Sequence, residues 1–413
     1  MTRDNDPVRA QYETYPYPPR DPRDESKRLI EGSPSHLLEI DHYIYAGKRD
    51  WRLPFRALIA GGGTGDGAIM LAQHLADRAV PAAVNYIDLS SASLAVAKAR
   101  AKARGLANIS FEQRAIEAVD EEAAFDYIDC CGVLHHLAYP KAGLARLARA
   151  LKPEGGIGLM VYATFGRTGV YPMQALIRQI ADDLPDRERI SLTRRLLAQL
   201  PPTNWLQRNP FVGDHVTGDD AGVYDLLLHR QDRSYSVPEL AELLAGAGLR
   251  VSSFIEPARY EPRSYVSDAT LLPRFDRLAP LDRAAAAERL AGNLARHVLY
   301  AVRADNAGPS VASPDSPDWV PVFRNLDPAT VAAGIKPSGT LTAEVDGVIL
   351  RSPLPPLAPA IAKRIDGRSS LGEIRQALTG EVAKDLDEAA FDRQFRLFYA
   401  AFNGLNRLLL RQR

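Results

Sequence analysis

The sequence predicts an α/β chain: a parallel, doubly wound sheet followed by a smaller α+β module. Three observations carry this. From Arg56 to about residue 305, apolar runs of strand length alternate with alanine- and leucine-rich helical stretches; a glycine cluster joins the first run to the first helix; and a Gly/Pro/Ser/Asp-rich stretch, ADNAGPSVASPDSPDW, then breaks the pattern. Alternating β and α elements imply parallel strands joined by crossover helices. A chain of 413 residues is long enough for two or three domains at about 100 to 200 residues each.

Composition narrows the class before any motif is read. With 46% hydrophobic and 25% charged residues the chain is an ordinary folded protein, not a collagen, a rod or a disulfide-stapled mini-protein. Lys plus Arg (51) equals Asp plus Glu (51), so no net field draws the molecule onto nucleic acid or an anionic membrane. The only cysteines are the neighbours Cys130 and Cys131, a spacing that gives neither an ordinary disulfide nor a metal framework. The start, MTRDNDPVRAQYETYPYPPRD, lacks the pattern of a signal peptide, and no later run reaches about 18 apolar residues. A soluble protein of the reducing cytoplasm is expected.

Taken in order, residues 1–50 form an arm that carries Tyr12, Tyr15 and Tyr17 among stiffening prolines, strand-like at first, with a short helix within Ser35 to Tyr45. Residues 51–305 form the main domain. Its first strand is ALIA, followed by the glycine cluster and the helix AIMLAQHLAD; its second is AVNYID, followed by a serine-capped helix that stops at Gly105. NISFEQRAI, FDYIDCCGVLHHL and GGIGLMVYA supply three more runs. Residues 163–235 break the alternation and read as an insertion over the sheet edge. At Ser236-Val-Pro-Glu239 the capping-box spacing and a first-turn proline announce the helix ELAELLAGAGL, which leads into the strand RVSSFIEP. A helical insertion at about 265–296 precedes the last strand, ARHVLYAVRAD. Residues 306–318 are a linker, and 319–413 an accessory domain, winged-helix-like, with a hairpin turning at Asp346-Gly347 and three helices after it.

The chemistry starts at Gly61-Gly62-Gly63-Thr64-Gly65, where the first strand hands over to the first helix. Bare backbone there lets a ligand approach closely, at the carboxyl edge where such sheets bind ligands. Asp88, at the end of the second run, is a carboxylate able to accept from both hydroxyls of a ribose. Downstream stand Asp129-Cys130-Cys131-Gly132-Val133-Leu134-His135-His136-Leu137 and Leu151-Lys152-Pro153-Glu154-Gly155-Gly156. In order and spacing this set resembles the class I S-adenosylmethionine-dependent methyltransferases, firmly over about 50–165 and loosely to about 305.

The resemblance implies a Rossmann-like fold and S-adenosyl-L-methionine as cofactor. It makes Gly61, Gly62, Gly63 and Gly65 the turn under the methionine and ribose portions, places Asp88 with Leu89 at the ribose hydroxyls, sets Ala115 and Ile116 beside the adenine, and puts Cys131 and Gly132 on the methionine side. Two positions depart from the family pattern. Ile59 stands where an acidic residue often orients the methionine ammonium, so another group must bind it; Ala115 stands where an aspartate commonly meets the adenine amino group.

Methyl transfer asks mainly for alignment, and a general base is optional. His135 or His136, His229 and Tyr17 are the candidate catalytic groups. Adjacent histidines diverge and have no partner carboxylate of telling spacing, so no metal is expected. The segment from Asp225 to Tyr235 either lines the acceptor pocket or is a solvated loop. The tyrosine arm either closes over the cofactor mouth, aromatic faces toward a sulfonium, or packs on the surface. The acceptor stays open: a protein or peptide is slightly favoured by the extra module, as in bacterial protein-lysine methyltransferases of similar plan, and the alternatives are a small molecule or a non-catalytic cofactor-binding scaffold. Nucleic acid and a membrane are not expected partners; a homodimer is allowed. A nicotinamide enzyme fits least, for the glycine cluster lacks the G-x-G-x-x-G frame.

Overall fold

The computed structural model describes residues 7–217, 220–336, 339–381 and 386–413. The arm begins with helix α1 (Pro7–Thr14) and continues through a 3-10 turn at Pro22–Ser26 to α2 (Leu37–Ile44). Tyr12 is therefore on a helix, where the sequence predicts a strand-like segment. Pro16, Pro18 and Pro19 lie beyond α1, which ends at Thr14: Pro16 disfavours the helical conformation at Tyr15 and so stops the helix without reaching Tyr12.

The main domain then alternates: β1 (Phe55–Ala60), α3 (Asp66–Asp77), β2 (Ala82–Asp88), α4 (Ser91–Ala103), β3 (Ile109–Gln113), β4 (Phe125–Cys131), α5 (Pro140–Ala150) and β5 (Leu151–Tyr162). The insertion supplies α6 (Val170–Ala181), α7 (Asp186–Leu197), α8 (Asp214–Thr217), α9 (Asp220–Val223) and a π-helical turn at Tyr224–Leu228. α10 (Val237–Gly246), β6 (Leu249–Phe254), α11 (Leu272–Asp276), α12 (Pro280–Ala291) and β7 (Arg296–Arg303) complete the sheet.

Seven strands pair in the order β3-β2-β1-β4-β5-β7-β6. β1 to β5 run parallel, whereas β7 lies antiparallel to both β5 and β6. An all-parallel sheet was the expectation from alternation; strand direction is not written in an apolar run, and β7 slots between two strands that point the same way. One face is covered by α2, α3 and α4, with Leu71, Leu75, Leu94 and Tyr127 in its core, and the other by α5, α10 and α12 around Ile128, Leu144, Leu240 and Leu299. β1 is buried along its length except at Arg56, as a central strand sandwiched between helices must be. The insertion packs a separate cluster, Val170, Met173, Ile177, Ile190 and Leu226 to Leu228, beside the carboxyl edge of β5.

The capping box written at Ser236 forms: the Glu239 carboxylate accepts from the Ser236 N–H at 2.7 Å, and Ser236 caps α10 in return. Ser236→Ala should therefore cost about 1 kcal/mol in a urea titration, because it orphans first-turn N–H groups of a helix whose apolar face seals the core.

Past the sheet, 306–318 holds neither helix nor strand and runs along α2, where Ala312 N–H donates to the His42 carbonyl at 2.9 Å. The last segment contains β8 (Val320–Phe323), α13 (Pro328–Gly334), β9 (Thr340–Val345), β10 (Val348–Pro353), α14 (Ala358–Lys363), α15 (Leu371–Glu381), α16 (Glu388–Asn403) and β11 (Leu408–Arg411). β9 and β10 form the predicted hairpin, and Asp346 and Gly347 both take the positive φ that a tight hairpin turn requires. The antiparallel β8–β11 pair is not predicted by the sequence pattern; each strand is four residues long. It is anchored through α2: Glu39, fully buried, accepts from Tyr300 at 2.8 Å and Asn406 at 2.7 Å and pairs with Arg324 at 2.7 Å.

Candidate active site

Because β1 to β4 are parallel, their carboxyl ends share one edge, and the order reverses between β1 and β4, which opens a crevice there. The glycine loop sits at this crevice. Its entry is fixed by β2: the N–H groups of Gly61 and Gly62 both donate to the Ile87 carbonyl, at 2.9 and 3.2 Å. Gly63 has φ +54°, and a Cβ on Gly62 would collide with the Tyr86 ring, so neither place accepts a side chain without movement.

Asp88 closes the loop from the next strand. Its two carboxylate oxygens accept from Gly63 N–H and Ser90 N–H, each at 2.8 Å, and still have lone pairs free for a ligand. Burial raises its pKa against the pull of those N–H groups. Leu89 comes next on the same edge; Ala115 and Ile116 start a 3-10 turn after β3; Cys131 ends β4, and Gly132 N–H is tied to the Met160 carbonyl at 3.0 Å. The residues expected around the cofactor thus line one continuous edge across four strands.

The arm closes on this edge. The Glu13 carboxylate accepts from Ser91 and Ala92 N–H at 2.8 and 3.0 Å and caps α4, the Tyr12 carbonyl accepts from Ser90 Oγ at 2.9 Å, and the Pro18 carbonyl accepts from Thr64 Oγ1 at 2.7 Å. Tyr17 carries its carbonyl over the loop, 2.8 Å from where a Gly63 Cβ would be, and burial pushes its phenol up to about 12.

Beyond the ends of β4 and β5 lies a buried polar cluster. The Asp225 carboxylate accepts from Tyr162 at 3.0 Å and Tyr12 at 3.4 Å, and burial raises its pKa. His136 and His229 stack 3.8 Å apart at 20° beside it, and a ring nitrogen of each lies within 4.8 Å of an Asp225 oxygen. A metal bound by two histidines lies near both ring planes at about 2 Å from each nitrogen, a point that near-parallel rings do not share. As oriented, the pair stacks rather than chelates. His135 instead packs on the Tyr162 ring at 3.9 Å with both nitrogens unpartnered, and burial drives its pKa far down. Arg167 stacks over Tyr162 at 3.6 Å and, with Gln174, holds Asp232 at 3.2 and 3.0 Å, which fixes the 225–232 segment over the site.

Sequence reasoning singles out His229 and the segment after Asp225. It misses Tyr162, Glu13 and Asp129, the last an acidic residue in the apolar run FDYIDCC, which was the available signal.

Known proteins resemble this chain in sequence and fold. Residues 58–157 match a family model described as a methyltransferase domain. An uncharacterised Synechococcus sp. protein is 33% identical over 287 residues, 67% of this chain, which spans 66% of that protein's length. A ubiquinone biosynthesis O-methyltransferase of Paracidovorax citrulli is 35% identical over 182 residues, 40% of this chain and 74% of that protein. The chain belongs to the class I S-adenosylmethionine-dependent methyltransferases. PKMT2 from Rickettsia typhi, with two solved structures of which one is in complex with AdoHcy, has the same fold across 97% of this methyltransferase and 75–76% of its own chain, with TM-score 0.60 and 14–15% identity. The cofactor is S-adenosylmethionine. The methyltransferase's own residues fit it: a loop too tight for side chains at Gly62 and Gly63, and the Asp88 carboxylate with acceptor capacity to spare. No described helix is long and apolar enough to cross a membrane.

Proposed function

We propose that this methyltransferase acts on a hydroxyl of a small acceptor enclosed between the glycine loop, the arm and the 163–235 insertion. One observation carries the reading: the Gln231 backbone gives the stacked histidines opposite tautomers. Its carbonyl, 2.9 Å from His136 Nδ1, can only accept, so neutral His136 carries its proton there and keeps a lone pair on Nε2. Its N–H, 3.1 Å from His229 Nδ1, can only donate, so His229 carries its proton on Nε2, a buried position without a partner. Burial holds the His229 pKa down to about 2, so it stays a neutral donor.

A base and a donor side by side suit an acceptor hydroxyl: His136 Nε2 takes its proton while His229 Nε2–H holds its oxygen, and the Tyr12 and Tyr162 hydroxyls keep the Asp225 carboxylate turned to the pair. The cofactor supplies a sulfonium methyl that needs no activation by the protein. Glycine loop, Asp88 and the cofactor-side residues Leu89, Ala115, Ile116, Cys131 and Gly132 would fix its position, and the arm would exclude water. The O-methyltransferase likeness supports a hydroxyl acceptor. A second reading, a peptide acceptor, is favoured by the extra segment 319–413, on which Ile349 and Leu397 are about half exposed.

The test uses labelled S-adenosylmethionine with catechol as probe and, in parallel, a cell-extract protein fraction. Label in catechol, lost about 100-fold or more in kcat for His136→Gln with AdoHcy affinity unchanged, is the expected result. Label in protein bands alone would replace the hydroxyl reading with the peptide one.

A further inference from the structure

We infer that Asp129 binds the α-ammonium of the cofactor's methionine portion and supplies, from β4, the carboxylate that β1 lacks at Ile59. The argument begins with register. Ile59 and Asp129 are direct partners in the β1–β4 ladder, so their side chains leave the same face of the sheet at the same level, next to the glycine loop. On that face the Asp129 carboxylate turns toward the first turn of α3: a Cβ on Gly67 would lie 3.1 Å from Oδ2. Gly67 leaves the carboxylate a path to the loop that any other residue would narrow.

The carboxylate is buried, 4% exposed, and makes only neutral bonds: Oδ2 accepts from Ser35 Oγ, and Oδ1 from Cys131 N–H at 3.0 Å. Among the described residues no Lys, Arg or His forms an ion pair with it. An uncompensated buried carboxylate is costly, and its oxygens retain acceptor capacity that Ser35 and Cys131 do not fill. A cation brought by a ligand satisfies both. The fold holds the group ready: Ser35 Oγ also bonds Tyr127 Oη at 3.0 Å, and Ser35 N–H donates to the Tyr300 hydroxyl at 3.2 Å, which in turn donates to Glu39. The titratable groups around it are Tyr127, Cys130, Cys131, Tyr300 and Glu39, with Asp66 and Arg296 acting on neighbouring Cys131. Burial pushes the Asp129 pKa up to about 6.

Two ligands separate this role from a structural one. AdoHcy carries the ammonium, whereas 5′-methylthioadenosine has the same nucleoside and sulfur without the amino acid. Asp129→Asn should weaken AdoHcy roughly ten- to a hundredfold by calorimetry and leave 5′-methylthioadenosine unchanged, the loss of one charge-assisted bond. The retained nucleoside affinity shows that the pocket is folded. The wild-type chain gives a second reading that needs no variant: AdoHcy affinity should fall as pH drops from 7.5 through about 6 to 5, since a protonated Asp129 cannot pair a cation, while the nucleoside affinity stays level. Equal loss of both ligands in the variant together with parallel pH curves in the wild type, or no loss in either, overturns the inference.

Discussion

Asp88→Ala should lower AdoHcy affinity by two orders of magnitude or more, read by calorimetry, with 5′-methylthioadenosine affected to the same degree. The carboxylate stands to accept from both ribose hydroxyls, and a hydrogen bond to a charged group is worth about 1.5–3 kcal/mol. The substitution also orphans the Gly63 N–H, which now donates to Asp88 Oδ2 at 2.8 Å, and so loosens the loop that both ligands share. Asp88→Asn should fall between: an amide offers one acceptor oxygen, and its NH2 would face the Gly63 N–H or a ribose hydroxyl. Because Asp88 would meet the ribose and Asp129 the ammonium, their signatures should differ. Asp88→Ala harms nucleoside and amino-acid forms alike, whereas Asp129→Asn harms only the latter. An Asp88→Ala protein that bound AdoHcy as the wild type does would remove the glycine edge from the cofactor site.

The parts of this site that could be read from the sequence are those in which chemistry and strand order coincide. Glycines that must be bare, a carboxylate ending the second apolar run, and a strand closing on Cys131-Gly132 all sit on local patterns, so their positions emerge once alternation fixes the sheet. The buried polar cluster beside the 163–235 insertion is different in kind. Tyr162, Asp225 and His229 meet through packing between β5 and a π-helical turn, and the proton positions on His136 and His229 are set by one backbone unit, Gln231, that no side-chain pattern reveals. Asp129 shows a third case. Its carboxylate was visible in FDYIDCC, but its pairing with Ile59 depends on β1 and β4 being neighbours, and they are separated in sequence by α3, β2, α4 and β3. Direction of β7 and the short β8–β11 pair were equally beyond local pattern, since both are decided by which surfaces meet.

Arg100→Met should destabilise the chain by about 3–5 kcal/mol in a denaturant titration, far more than an exposed ion pair would cost. Arg100 lies on α4 and is 1% exposed. Its Nε donates to Glu25 Oε1 at 2.6 Å, and its Nη1 to Asp66 Oδ1 at 2.6 Å and to the Thr64 carbonyl at 2.9 Å. Arg104 adds a second bond to Glu25, and Arg20 a second to Asp66, at 2.6 Å. One guanidinium therefore ties the arm at Glu25, the glycine loop at Thr64 and the first residue of α3. Methionine fills the volume but leaves buried Glu25 with Arg104 alone and Asp66 with Arg20 alone, and the Thr64 carbonyl without its guanidinium donor; these lost charge-assisted bonds are the source of the loss. Arg100→Lys should be intermediate, because an ammonium keeps the charge without the planar fork that reaches three acceptors. The same substitution should expose the arm to protease between residues 15 and 30 and weaken AdoHcy, since the Thr64 bond to the Pro18 carbonyl that holds the arm over the loop depends on Thr64 being held. Loss of stability with the arm still protected would separate the two roles: the network would then serve α4 and α3 alone, and closure over the cofactor would rest on Glu13 and Thr64.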